Sequence, residues 1–407
     1  MDLWIWSNPD QTKNQKQSSN KRIFGLNRNI FFLGIISFFN DFSNEMILSA
    51  FPAFFTSVLK SGAASLGLVE GLADGAANLI KIYSGNLSDK IHKRRIFIFI
   101  GYGLSVAVRP FYMFMGSVAG VLGLRVVDRI GKGVREAPRD VIISVSSNKW
   151  ETGRSFGYHR AMDTAGGILG PLAAFLILKY WPGQWGLFFM VTFMIGLISF
   201  ATIFFVKEVI TSVNSEGRKV FSWKTFTSFP KSFRYYLLAI FILSMGSLPT
   251  AILLLKTISV GLLIASIPLF YMVYSIFYTS FSYTLGKLSD RIGTSNVLIF
   301  GYLVLIISYL GMIFANSPIL LGIFFATLGL FSACTDATQR SHVAHSVPEY
   351  ERGTAFGLLN GAIGFGTMIS GIVGGLIWQD IGANYALLLS ASIVIIGLIM
   401  FGISKRV

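Results

Sequence analysis

Acidic, basic and amide side chains stand inside stretches otherwise built of Phe, Leu, Ile, Val and Gly. The run Ser37-Phe-Phe-Asn-Asp-Phe-Ser-Asn-Glu-Met46 carries Asn40, Asp41, Asn44 and Glu45. The pairs 40/44 and 41/45 are each one turn apart, so a helix sets all four on one face. Glu70 and Asp74 have the same spacing, and Arg109 stands alone before Pro110. Arg125, Asp128, Arg129, Lys132, Arg135, Glu136, Arg139 and Asp140 recur every three or four residues along another face. His159, Arg160 and Asp163 follow, and Asp336 and Arg340 form a later pair one turn apart. A carboxylate in a half-dry cavity can take up and release protons, which makes Asp41, Glu45 and Asp163 the proton-coupling candidates. A guanidinium grips a carboxylate or phosphate through two parallel hydrogen bonds. Arg109, Arg125 and Arg160, with Asn40, Asn44 and Asn360, are therefore the substrate-binding candidates, and Tyr271 and Tyr274 complete the set. The competing reading is that these charges only neutralise one another, with Arg125 and Arg129 paired to Glu70 and Asp74. Arg135 to Asp140 read as interfacial structure.

The elements that must position these groups are membrane helices. The chain of 407 residues is 53% hydrophobic and 13% charged, with a mean hydropathy of +0.64. Stretches of about 18 or more nearly uncharged residues recur along it, the length that crosses a bilayer. Twelve helices are expected, over 29–59, 63–86, 95–116, 118–146, 154–180 and 185–207, then 234–256, 259–286, 296–315, 318–345, 353–378 and 383–404. Charge inside a span is expensive, on the order of 2.5–3.5 kcal/mol per residue on insertion scales, so it marks a polar cavity. It should also make a hydropathy window underrate the first, second, fourth and tenth helices.

The net charge of +15 does not indicate nucleic acid, because the basic residues sit in short clusters between apolar runs. Those clusters (Lys13 to Arg28, Lys90 to Arg95, Lys207 to Arg234, Lys405 and Arg406) all fall on one side of twelve spans. By the positive-inside rule that side, with both termini, is cytoplasmic. The divisions expected are a cytoplasmic tail over 1–28, a six-helix bundle over 29–207, a linker over 208–233 and a second bundle over 234–404. The tail lacks an apolar signal segment. The single Cys334 excludes an internal disulfide, and no residue cluster calls for a metal or cofactor. Gly153-Arg-Ser155-Phe-Gly157 has the outline of a hydrolase nucleophile elbow. It opens a membrane helix instead of following a strand, so it is not a catalytic site, and no enzyme is expected.

The segment Gly85-Asn-Leu-Ser-Asp89-Lys-Ile recurs as Gly286-Lys-Leu-Ser-Asp290-Arg291-Ile. Gly153-Arg-Ser-Phe-Gly157 recurs as Gly353-Thr-Ala-Phe-Gly357 at nearly the same offset, close to half the chain, which implies a duplicated unit. These segments resemble the signature between helices two and three, and eight and nine, of the major facilitator superfamily. The segments 37–46, 128–140 and 157–166 resemble one poorly characterised prokaryotic subgroup of it. The resemblance implies an all-α membrane protein with twelve transmembrane helices in two parallel six-helix repeats, a multi-pass protein of the bacterial inner membrane. Gating residues are expected at Gly85, Asp89, Arg129, Gly286, Asp290, Arg291, Asp336 and Arg340. The superfamily pattern of an arginine followed by glycine fits Arg129 and Gly133, although Arg135 stands where a further glycine belongs.

The functional expectation is secondary active transport, proton-coupled and by alternating access, of a small polar or anionic organic solute such as a carboxylate or siderophore-like chelator. The partners are that solute, protons and the lipid bilayer, with the protein a monomer. Gly166-Gly-Ile-Leu-Gly170-Pro171 resembles the glycine-proline element of superfamily antiporters, with Ala173 and Ala174 where that element has glycines, and the resemblance leans towards export. The alternatives are proton-antiport efflux of lipophilic drugs, and a membrane sensor or scaffold that transports nothing.

Overall fold

The computed structural model describes residues 22–91, 93–147, 152–208, 229–348 and 352–404. Among these, twelve long helices run as α1 (Arg28–Ser57), α2 (Ala63–Ile91), α3 (Arg94–Val108), α4 (Val118–Ser146), α5 (Thr152–Tyr180) and α6 (Trp185–Thr202). The second set is α7 (Lys231–Met245), α8 (Ile267–Ile292), α9 (Thr294–Ile313), α10 (Pro318–Ser346), α11 (Arg352–Asp380) and α12 (Ala383–Ser404). Packing repeats with a period of six helices. In the first set α1 packs on α5 and α6, α4 on α2 and α3, and α3 on α6. In the second α7 packs on α11 and α12, α10 on α8 and α9, and α9 on α12. The caps repeat too. Ser117 accepts from the Gly120 N–H at the start of α4, and Ser317 accepts from the Leu320 N–H at the start of α10.

Ten of the helices, α1 and α10 included, are long and apolar enough to cross a membrane. Only α2 and α4 fall short, because their charges run along most of their length. α10 keeps a strongly apolar window and α1 the weakest of the ten, so the expectation that hydropathy underrates all four fails for α10 alone. Four boundaries also differ. α2 and α8 continue to Ile91 and Ile292, so the two signature segments are final helical turns rather than loops. The expected helix over 234–256 breaks after Met245 at Gly246-Ser-Leu-Pro249 and resumes as a short helix, Thr250–Leu254. Pro249 has no N–H to continue the ladder and drives the residue before it out of helical conformation. The expected start of the eighth helix at 259 is replaced by a short helix, Lys256–Ser259, a left-handed Gly261, and Pro268 in the first turn of α8.

Most of the expected tail and linker, residues 1–21 and 209–228, lies outside the described residues. Residues 22–27 form a two-stranded hairpin, β1 (Arg22–Ile23) and β2 (Leu26–Asn27), ahead of α1. The start of α1 lies against the end of α4 and the residues after α6, since Asn29 Nδ2 donates to Ser146 Oγ at 3.4 Å and to the Lys207 carbonyl at 3.0 Å. This end of the molecule, which carries the start of α1 and the end of α12, is called the termini face below.

The two sets meet along α2–α11, α5–α8 and α1–α8. At the face opposite the termini, α2 and α11 approach to backbone contact. A Cβ on Gly375 would sit 2.6 Å from the Ala63 carbonyl oxygen, and one on Gly371 would sit 2.6 Å from that of Gly67. The contact extends inward to Gly364 and Asn78. Small residues at these positions are what allow helices to pack so closely in a bilayer.

Candidate functional site

α1 and α5 converge because Gly166 and Gly170 present no side chain to the Phe38–Met46 backbone. That approach brings the polar face of α1 against Arg160 and Asp163. Ser37 Oγ donates to Asp163, and Asp41 on α1 stands close enough to Asp163 on α5 for the two carboxyls to act on each other. Asn40 Nδ2 donates to Asp41 at 3.0 Å, while Arg109 Nη2 donates to Asn40 Oδ1 at 3.0 Å. Arg160 contacts Asp163 of its own helix at 3.4 Å and, across the two sets, Asp336 of α10 at 3.3 Å. Tyr278 of α8 donates to Asp336 at 2.6 Å and also meets Arg160. Arg340 stands 3.7 Å from Asp336. A continuous polar chain thus runs Arg109–Asn40–Asp41–Asp163–Arg160–Asp336, from the interior of the first set into the second. Its far end is open, with the Arg160 and Asp336 side chains 50% and 45% exposed.

The remaining candidates are distributed differently. Arg125 is fully buried and held on both edges. Its Nε and Nη2 bind Glu70 at 2.9 and 3.0 Å, Nη1 meets Asp128 at 3.2 Å, and Phe51 covers its face at 4.9 Å. Arg129 meets Asp74 at 3.2 Å and Glu70 at 3.6 Å. Arg109 is also fully buried, at the junction where α3 tightens before Pro110, with Gly196 of α6 against its guanidinium. Asn44 is buried and donates to Glu45 at 3.0 Å, and Glu45 lies beside Tyr271 of α8. Asn360 is half-buried on α11, away from the chain of contacts. Gly286 adjoins open space, and Asp290 and Arg291 are exposed at the end of α8. Gly85 and Asp89 fall on α2, but their surroundings lie outside the described residues.

Sequence reasoning passed over three participants. Ser37 lies one turn before Asp41, and Tyr278 lies one turn after Tyr274, whose ring stacks on it at 6.2 Å. Spacing along each helix was the available signal. Lys81 holds Glu136 at 2.7 Å, beside the Arg129 network.

The sequence matches the profile described as Major Facilitator Superfamily over residues 33–273 and 237–406. The chain belongs to this superfamily. It is 34% identical over 371 residues to an uncharacterised MFS-type transporter of Methanocaldococcus jannaschii, covering 90% of this chain and 92% of the relative. Among solved structures, a POT family transporter in complex with 5-aminolevulinic acid is similar at a TM-score of 0.76 and 13% identity, covering 95% of this chain and 98% of that one. The nucleoside transporter NupG is similar at a TM-score of 0.73 and 16% identity, covering 93% and 99%. The superfamily member described here is therefore a multi-pass membrane transporter with two parallel six-helix repeats, and not an enzyme.

Proposed function

We propose that this transporter moves a small polar organic solute bearing a carboxylate or similar anionic group, coupled to protons, by alternating access between its two bundles. The observation that carries this reading is the chain Asp41–Asp163–Arg160–Asp336, which links a carboxyl pair in one bundle to a carboxylate in the other. Two carboxyls so close do not readily both ionise, because like charges disfavour one another. The Asp41–Asp163 pair is thus a place to hold one proton. Arg160 is the group offered to substrate. It is half exposed, and its contacts at 3.3–3.4 Å are loose enough for a solute carboxylate to replace Asp336 in a bidentate pair. Arg125 is not offered, because Glu70 and Asp128 already occupy its donors. Tyr271, Tyr274 and Tyr278 line α8 beside it with hydroxyls suited to a polar solute.

Substrate on Arg160 releases Asp336, and deprotonation of the pair strengthens the hold of Asp163 on Arg160. The deprotonated pair and the substrate therefore compete for one guanidinium, so a proton on the pair favours substrate binding, the condition for cotransport. That linkage suits uptake driven by an inward proton gradient, against the lean towards export of the Gly166–Pro171 element. The termini face, which bears most of the basic residues, is assigned to the cytoplasm of the cell's plasma membrane, with residues 1–28 and 208–233 on that side and the protein working as a monomer.

The test is flux in proteoliposomes with an imposed pH gradient, screened against small carboxylates, 5-aminolevulinic acid and nucleosides. Asp41→Asn is expected to leave exchange of bound solute intact while abolishing gradient-driven accumulation. Accumulation that survives collapse of the gradient, or wild-type driven flux in Asp41→Asn, overturns the coupling.

A further inference from the structure

The corner of the termini face where the hairpin meets α1 and α5 has features that the transport reading does not use. Phe24 and Gly25 form the turn between β1 and β2 with φ of 49° and 76°. Left-handed backbone is unfavourable for a phenylalanine, yet it projects the Phe24 ring outward, 87% exposed. Phe24 continues into an aromatic strip. It meets Phe31 at 6.0 Å, Phe31 meets Phe32 at 5.5 Å, and Phe32 stacks on Phe205 at 5.0 Å. A bulky ring held outward beside the first residue of a membrane helix suits the boundary between headgroups and acyl chains.

Two arginines flank this strip. The Arg28 guanidinium lies 5.7 Å over the Phe32 ring, and its Nε has no hydrogen-bond partner. Arg154 lies over the hairpin turn, where a Cβ on Gly25 would be 3.2 Å from its Nη2. Neither has a carboxylate partner among the described residues. Both stand in the first turn of a helix, where the dipole disfavours a cation. The start of α3 shows how the chain resolves the same problem elsewhere. There Glu208 accepts from the Arg94 and Arg95 N–H groups at 3.0 Å each. No carboxylate among the described residues does this for α1 or α5.

We propose that this corner binds one anionic phospholipid. Its phosphate lies between Arg28 and Arg154, and its acyl chains lie along Phe24, Phe31, Phe32 and Phe205. The guanidiniums alone would suit a free phosphate. The aromatic strip running away from them, exposed at Phe24 and Phe205 and half-buried at Phe31 and Phe32, selects a phosphate that carries hydrocarbon. The inference is independent of which solute is moved and of proton coupling.

The experiment uses the full-length protein in detergent. Phosphatidylglycerol, phosphatidylcholine with the same acyl chains, and inorganic phosphate are titrated separately. Bound lipid is read by native mass spectrometry and stabilisation by melting temperature. Phosphatidylglycerol is expected to stay bound and raise the melting temperature, while the other two do neither. Arg28→Gln and Arg154→Gln should each weaken it about fivefold, the equivalent of ~1 kcal/mol per basic residue at an anionic surface. Arg154→Lys should retain most of the preference, which separates loss of charge from misfolding. Phe24→Ser should weaken the lipid, and Lys287→Gln, on the same face but remote in the fold, should change nothing. Equal retention of the two lipids, or wild-type binding in both glutamine variants, overturns the site. Stabilisation by inorganic phosphate equal to that by phosphatidylglycerol overturns the lipid assignment.

Discussion

Asp336→Asn removes the charge that Arg160 meets in the opposite bundle while preserving shape. Its effect can be worked from the geometry. The ion pair is 3.3 Å long and both side chains are about half exposed. Solvent therefore screens it to the level of surface pairs, roughly 0.2–1 kcal/mol. The 2.6 Å bond from Tyr278 to the Asp336 carboxylate is charge-assisted, and changing its acceptor to an amide forfeits about 1 kcal/mol more. Together, roughly 1–2 kcal/mol is withdrawn from the contact between bundles, a five- to thirtyfold change in the ratio of conformations. The assay is electron–electron resonance between spin labels at Val145→Cys on α4 and Lys287→Cys on α8, in a Cys334→Ser background. The population with the distance of the present arrangement should fall by that factor in Asp336→Asn. Arg160→Gln should act similarly, and the double variant should fall short of the sum, because the two residues share one interaction. A distance distribution that is the same in all four proteins would refute the role of this bridge.

Two further outcomes test the packing around the site. Glu70→Gln removes one of the two carboxylates that hold the fully buried Arg125 guanidinium and should destabilise the protein by about 1–3 kcal/mol, read as a lower melting temperature in detergent. Glu70→Met with Arg125→Met should recover little of that loss, since it leaves buried Asp128 without Arg125 and Arg129 with Asp74 alone. Gly371→Val places a Cβ 2.6 Å from the Gly67 carbonyl oxygen and 3.0 Å from Gly71 Cα. Overpacking of this kind costs about 1–3 kcal/mol, so α2 and α11 should part, and maleimide labelling of Ala63→Cys, buried against Gly375, should rise. Gly286→Val, where an added Cβ meets nothing within 4 Å, should leave the labelling unchanged.

The sequence made the helices legible because bilayer thickness imposes a length on each apolar run, and the echo of two segments exposed the duplication. One-turn spacing also exposed the pairing of Arg125 and Arg129 with Glu70 and Asp74, since partners on adjacent helices need only matching depth. The bridge was harder to see. Arg160 and Asp336 are 176 positions apart, and Asp336 has a nearer apparent partner in Arg340, one turn along its own helix. Periodicity along a helix specifies a face. It does not specify which helix that face will meet, and depth in the sequence does not measure exposure. Arg109, Arg125 and Arg160 all read as interior arginines; the first two are fully buried and the third is half open, because α6 and α2 cover the first two. The break at Gly246–Pro249 was written in the proline but hidden inside an apolar run long enough to span.

The duplication also separates what the charges do from what the fold needs. α4 and α10 coincide in register, Val118–Ser146 on Pro318–Ser346, down to the capping serines. At that register Phe325 stands where α4 has Arg125, and it is fully buried in an apolar cluster. Gly329 stands in place of Arg129, in close contact with the Tyr274–Tyr278 backbone of α8. The second bundle therefore builds the same α4-type helix and the same packing without a buried ion pair. A buried pair is weak evidence for stability in any case, and here the protein supplies its own comparison. Between these two helices one acidic position is kept: Glu136 occupies the place of Asp336. In the first bundle it is bound by Lys81 at 2.7 Å within its own bundle, and in the second its counterpart is bound by Arg160 from the other. The equivalent of Arg160 is Asn360, which makes no such contact. The two bundles thus keep one scaffold and divide the chemistry. The first carries the carboxyl pair and the guanidinium, and the second presents a single carboxylate for that guanidinium to take or release. A symmetric pair of bundles would offer two equivalent bridges that compete. Among the described residues this arrangement leaves one ion pair between the bundles, so on the proposed reading the state of one arginine reports whether they are bridged at that depth.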